Sequence, residues 1–233
     1  MKLIRENFFW IRKAYLRAHS LFLGGAITQG PLGDRVALTF DDGPDARFTP
    51  RVLDILEKHA ARATFFVLGE RVGEFPALAK EVAARGHELA VHLYSHDREV
   101  ARDDARFKAE LTRTREAITA TTGADPLFLR FPFAYLGRQK PRRILEEFGL
   151  HTVHWSFSSL DSSRDAGGIL RRVEWALFPG AIVLLHDGVG GHSRRAKDRQ
   201  ATVAALPGVL EVCRKRGLAP VSLSELLSAL VKR

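Results

Sequence analysis

Val36-Ala37-Leu38-Thr39-Phe40-Asp41-Asp42-Gly43-Pro44 is the stretch on which the fold turns. A short run, apolar but for one threonine, ends abruptly in two carboxylates and a Gly-Pro turn. Such a run reads as a strand buried on both faces, because alternation with polar residues is missing. Asp, Gly and Pro are turn formers. Two adjacent carboxylates at a buried strand end are nonetheless costly unless cations neutralise them. The pair therefore reads as chemistry rather than as a turn alone.

Outward from this stretch the same unit repeats. Further strands are expected at Ala63–Leu68, His87–Val91, Leu127–Arg130, His151–Ser156, Ala181–Leu185 and Leu218–Val221. Helical periods separate them. One carries Val52, Leu53, Ile55 and Leu56 inward, and others cover Pro76–Ala84, Asp104–Thr121, Pro141–Phe148, Ile169–Leu177 and Ala201–Arg216. Gly217 ends the last of these, and Ser222 caps a final helix through Leu230. Strand–helix alternation implies parallel strands joined by right-handed crossovers. An open sheet and a closed barrel both fit the pattern.

The polar residues fall at strand ends. In a parallel barrel, catalytic groups come from the C-terminal ends of several strands. Asp41 and Asp42 follow the first strand, His92 and His96 the third, and Arg130 ends the fourth. Asp161 lies beyond the fifth, and His186 and Asp187 follow the sixth. On a helical turn His92 and His96, four apart, would face the same way. Alone, such a pair is more often surface or core. With a carboxylate it makes a three-ligand site with open positions, as in hydrolytic zinc enzymes.

These residues carry a family resemblance. Thr39–Pro44 is similar to the first signature of the polysaccharide deacetylases, the carbohydrate esterases that include chitin and peptidoglycan deacetylases. Gly86–His96 resembles the second, Arg130-Phe131-Pro132-Phe133 the third, Trp155–Asp161 the fourth and Leu184–Asp187 the fifth. The matches run in order over about residues 35 to 225. The resemblance implies a distorted parallel (β/α) barrel of about seven strands. It implies a metal-dependent hydrolase removing N-acetyl groups from amino sugars of a polysaccharide or glycoconjugate. Asp42, His92 and His96 would bind a divalent metal, Zn2+ first, with Co2+ or Mn2+ also accepted. Asp41 would be the general base, held by Arg130. Asp161 would pair with His186, the acid for the leaving amine. The Phe133 backbone N–H would hold the oxyanion, and Leu184 would line a pocket for the acetyl methyl. A lipid-linked sugar deformylase or deacylase, and an inactive carbohydrate-binding homologue, are the competing readings.

The chain departs from the pattern at three places. Phe131-Pro132-Phe133 stands where Pro-Pro-Tyr is usual, Leu93 replaces a Ser or Thr after the first histidine, and Ser162 replaces a tryptophan after Asp161. The first and the third of these bear on sugar contacts and substrate breadth rather than on the metal. His87, His151 and His154 read as structural, His59 and His192 as exposed, and Trp155 and Trp175 as core. Gly188, Gly190 and Gly191 read as a mobile rim loop, since no phosphate-binding pattern follows.

The 233 residues suit one α/β barrel. One cysteine, Cys213, excludes an internal disulfide. The net charge of +9 favours anionic partners, an acidic membrane surface or a charged wall polymer. Part of it sits in Arg194-Arg195-Lys197-Arg199 and Arg214-Lys215-Arg216, which read as solvated faces. No aromatics interleave with these runs and no nucleic-acid motif is present, so nucleic acid is not an expected partner. Residues 1–30 are expected to form a partly amphipathic helical extension ahead of the catalytic barrel at 31–233. That extension would pack on the barrel, closing its bottom, or lie on an anionic membrane. No convincing signal peptide is present. The cell envelope is favoured over the cytoplasm because the family is mostly extracytoplasmic.

Overall fold

The computed structural model describes residues 25–134, 141–190 and 198–229. The strands are β1 (Arg35–Asp41), β2 (Thr64–Val67), β3 (Glu88–Val91), β4 (Phe128–Leu129), β5 (His151–Thr152), β6 (Phe157–Ser158), β7 (Ile182–His186) and β8 (Ala219–Val221). The α-helices are α1 (Thr49–Lys58), α2 (Gly69–Glu74), α3 (Pro76–Ala84), α4 (Asp104–Thr122), α5 (Pro141–Phe148), α6 (Ala166–Ala176), α7 (Gln200–Lys215) and α8 (Leu223–Leu226). All strand pairs are parallel, in the order β5-β4-β3-β2-β1-β7-β6, with β8 beside the start of β1. The distorted parallel barrel expected from the resemblance is what forms. The expected fifth strand divides into β5 and β6, and α2 had no clear periodic signal.

A short segment closes the sheet. Ile27 forms a parallel bridge to Val153 beyond β5, and Gln29 an antiparallel bridge to Ala181 before β7. Ile27 N–H donates to Thr152 O, His154 N–H to Ile27 O and Gly30 N–H to Gly180 O. Residues 26–30 are thus a stave of the barrel, and the expected boundary at residue 30 falls at its end. The helical extension expected before it lies outside the described residues up to residue 24.

Two apolar layers stabilise the barrel. The larger packs the outer sheet face against the helices. The smaller fills the interior with Ala37, Phe66, Ala90, Phe128, Val153 and Ile182. Leu223, Leu226 and Leu227 close the bottom of this inner core. Helix α8, started by a reciprocal Ser222–Glu225 capping box, thus supplies a floor. It is shorter than the helix expected through Leu230. Trp175 is 65% exposed, against the expectation of a core residue. Helix α6 turns Ile169, Val173 and Ala176 inward, which leaves Trp175 on its outer face.

The inner core sets the phase for the chemistry. Side chains alternate across a strand with period two. Asp41 is four residues beyond inward Ala37, His92 two beyond Ala90, Arg130 two beyond Phe128, and His186 four beyond Ile182. Each polar residue therefore inherits the inward direction of an apolar residue below it.

Candidate metal centre and catalytic site

Asp41 and Asp42 are both buried although they are consecutive. Alternation would send one of them away from the interior. Asp42 avoids this by a left-handed backbone, φ 76°, which Asp tolerates better than most residues. Gly190 packs against the result, since a Cβ there would lie 2.5 Å from Asp42 Oδ1.

His92 and His96 stand on an irregular loop after β3, not on the helical turn expected from their spacing. Leu93, with φ 65°, turns the chain between them. The loop is pinned from several sides. Gly69 N–H donates to Leu93 O and Glu70 N–H to Tyr94 O. The buried Glu110 of α4 accepts from Tyr94 N–H at 3.0 Å, Ser95 N–H at 2.8 Å and Ser95 Oγ at 2.6 Å. Glu110 therefore fixes the loop that carries His96, a role its mid-helix position in the sequence does not announce.

Asp42, His92 and His96 form a cluster whose ligand atoms lie within 4.8 Å of one another. Asp42 Oδ1 is 3.4 Å from His92 Nε2 and 3.3 Å from His96 Nε2. That oxygen is buried without a hydrogen-bond partner. His92 Nδ1 lies 2.7 Å from Arg130 O, a carbonyl that can only accept, so Nδ1 is the donor and Nε2 faces Asp42. Burial lowers the pKa of His96 to about 4 against the pull of Asp42, which leaves a neutral ring at pH 7. Burial opposes ionisation of Asp42, but the neighbouring His92, His186 and His96 hold its carboxyl well below the usual range. Lone pairs thus converge on a point that a cation satisfies. Tetrahedral ligands at ~2.0–2.1 Å from zinc are ~3.3–3.4 Å apart, which matches the two separations. The donor set fits a divalent metal.

Arg130 is fully buried and anchors the neighbouring carboxylate. Its Nη1 donates to Asp41 Oδ1 at 2.7 Å and to Thr39 Oγ1 at 2.8 Å, and Nη2 donates to His154 O at 3.0 Å. The guanidinium also lies 4.0 Å above the Phe66 ring. Asp41 Oδ2 is left facing the cluster, 3.9 Å from His92 Nε2.

Asp161 binds His186 twice. Its Oδ1 is 2.8 Å from Nδ1, and its Oδ2 accepts the His186 backbone N–H at 2.7 Å. Thr202 Oγ1 also donates to Oδ2, at 2.8 Å. Burial disfavours the imidazolium of His186, yet the charge and hydrogen bond of Asp161, with Asp42 adding, raise its pKa to about 9. Burial likewise opposes ionisation of Asp161, and His186 outweighs it and holds that carboxyl below its ordinary value.

Phe133 has φ 59° and is 43% exposed, its ring centroid 4.1 Å from that of His96. Leu184 is buried on the inner face of β7, two residues before His186. All nine residues singled out in the sequence therefore belong to one end of the barrel.

Arg199 was missed. It reads as part of a solvated basic run, yet it is buried. Nε donates to Gly188 O at 2.6 Å, Nη1 to Ser162 Oγ at 3.0 Å, and Nη2 reaches Asp42 Oδ2 at 3.4 Å. Arg199 thus holds the oxygen of Asp42 that faces away from the two imidazoles. Ser162 accepts from it at the position where the family pattern has tryptophan, an indole that could donate but not accept. Asp187 is buried below the site. Burial, with Asp42 and Asp41 adding, raises its carboxyl to about 7 against the Thr49 hydrogen bond. Thr49 Oγ1 donates to it at 2.5 Å.

Known proteins resemble this chain in sequence and in fold. The polysaccharide deacetylase family profile matches residues 29–153. A peptidoglycan-N-acetylglucosamine deacetylase of Bacillus cereus is 33% identical over 199 residues, 85% of this chain and 70% of that protein. A chitooligosaccharide deacetylase of Bradyrhizobium sp. is 39% identical over 188 residues, 78% of this chain and 85% of that protein. Among solved structures, a peptidoglycan N-acetylglucosamine deacetylase in complex with 4-naphthalen-1-yl-N-oxidanyl-benzamide superposes with a TM-score of 0.81 at 32% identity. That match covers 89% of this chain and 95% of the other.

Proposed function

Because the chain belongs to the polysaccharide deacetylase family, we propose that it is a metal-dependent hydrolase removing N-acetyl groups from amino-sugar residues of a polysaccharide or glycoconjugate. One observation carries this reading. A three-ligand cluster, an arginine-held carboxylate and a carboxylate-held imidazole share one end of the barrel.

Asp42, His92 and His96 would hold a divalent metal, with Zn2+ the first choice for two imidazoles and one carboxylate. When bound, the ion supplies Lewis acidity and makes water a better nucleophile at neutral pH. Asp41 accepts the proton of the attacking water on Oδ2, while Arg130 keeps its other oxygen fixed. The water oxygen bonds to the acetyl carbon, and the Phe133 backbone N–H donates to the oxygen on which charge develops. His186 gives its Nε2 proton to the sugar nitrogen as the C–N bond breaks. Acetate and a free amine leave. Leu184 lines the pocket of the acetyl methyl. An inactive homologue would lack one of these side chains, and all are present. The substrate class supports a site of action in the cell envelope. Among the described residues no helix is long and apolar enough to cross a membrane.

Acetate release from N-acetylated glycans tests the proposal. Release should stop with a chelator and return with zinc. Formate in place of acetate would favour the deformylase reading. No release from chitooligosaccharide, peptidoglycan or lipid-linked sugars under any divalent metal would overturn the deacetylase reading.

Two smaller effects follow from the geometry. Arg199→Met should weaken zinc binding about tenfold, the lower end for loss of a partner that orients a metal ligand. Competition with a chromophoric chelator measures this, and an unaltered affinity would remove Arg199 from the site. In the metal-free protein, His186 should titrate near pH 9, and Asp161→Asn should lower that midpoint. Its folded pKa is raised, so the stabilisation from the pair is complete below about pH 6.5. That stabilisation is lost as pH rises through about 9. Histidine C–H chemical shifts followed against pH report both midpoints.

A further inference from the structure

Among the described residues, a cation at the mouth of the site has no carboxylate partner. Arg98 is exposed in the 3₁₀ turn that follows His96. Its guanidinium lies 4.1 Å above the Phe133 ring, and that ring lies 4.1 Å from the His96 ring. Arg98 is therefore no more than two aromatic steps from a metal-ligand side chain. The acids beside it are engaged elsewhere. Asp97 pairs with Arg106 at 2.5 Å, and Glu99 pairs with Arg102 at 2.5 Å. Among the described residues no carboxylate pairs with Arg98.

Stacking explains part of this arrangement, since a guanidinium over an exposed ring is weakly attracted to its face. Stacking uses only the face of the guanidinium plane. The N–H groups at its edge make no hydrogen bond among the described residues and form a fork that matches a carboxylate. Phe133 is held outward by its left-handed backbone and is 43% exposed. The exposed part of the ring and the Arg98 guanidinium stacked on it lie together beside the His96 ring.

We propose that Arg98, seated on Phe133, is a recognition site for a carboxylate carried by the glycan next to the amino sugar being deacetylated. The proposal rests on the deacetylase reading and narrows it: the preferred substrate is an acidic glycan, such as the carboxylate-bearing strands of peptidoglycan, rather than neutral chitooligosaccharide. The overall charge of +9 favours the same class of substrate at longer range.

The test uses one soluble peptidoglycan glycan in two forms, with free carboxylates and with those carboxylates reduced to alcohols. Acetate release gives kcat/KM for each with the zinc-loaded protein. The wild type should prefer the carboxylated form. Arg98→Gln keeps the stem over Phe133 and removes the charge. It should lower the ratio of the two kcat/KM values about tenfold, through KM, as expected for one charge-assisted hydrogen-bonded contact. Arg98→Lys should recover part of the ratio, and added salt should compress it. An unchanged ratio in Arg98→Gln, with both substrates slowed alike or neither slowed, would overturn the proposal and leave Arg98 as a packing residue. A wild type that prefers the reduced glycan would overturn it too. Acetate from neither form would instead count against the deacetylase reading, and this assignment with it.

Discussion

Asp41→Asn should lower kcat for acetate release about 10³-fold, the middle of the range for loss of a general base. The size of the effect follows from what the substitution spares. Asn keeps the shape of Asp and offers one oxygen, enough to accept the N–H that Arg130 Nη1 now donates at 2.7 Å. It cannot take a proton from water at neutral pH. Asp42, His92 and His96 are unaltered, so zinc binding should change little. A zinc-loaded, folded Asp41→Asn protein with full activity would exclude Asp41 as the base.

Arg130→Met should destabilise the fold by about 3–5 kcal/mol, the usual cost of removing one partner of a buried ion pair. Against a typical total of about 5–15 kcal/mol, that is a large fraction. Methionine has a stem of similar length but leaves Asp41 buried with no cation beside it. It also strips the donors from Thr39 Oγ1, Val153 O and His154 O. The guanidinium ties β1 to the segment beyond β5 across the barrel interior, so the damage extends past the site. Urea unfolding of the metal-free protein measures it. A loss under about 1 kcal/mol would mean that water or neighbouring groups replace the arginine, and that Asp41 is not held as described.

The fold was legible because the central strands are buried on both faces. Val36–Phe40 and Ala181–Leu185 read as continuous apolar runs, and they form the adjacent strands β1 and β7. The site was legible where strand periodicity carries it, at Asp41, His92, Arg130 and His186. It was not legible where the backbone leaves the strand. The positive φ of Asp42 and Leu93 decides how ligands converge, and nothing in residue type fixes that angle. His92 and His96 reach the same point by a loop, so the helical spacing was right about the pair and wrong about its support. Arg199 and Glu110 were hidden for another reason. Each sits among charged neighbours in sequence, and only the packing of α7 and α4 turns these two inward. Trp175 is the reverse case, an apolar residue set on the outer side of α6.

The stave at Ala26–Gly30 bears on how a shortened chain would behave. It contributes no side chain to the chemistry, yet it covers backbone donors and acceptors along β5 and below β7. A chain trimmed to start at residue 31 would keep every catalytic group and expose two bare strand margins. Unpaired margins recruit other chains, and growth of such pairings is a common route to precipitation. Loss of solubility, rather than loss of the reaction, would be the first symptom of that trimming.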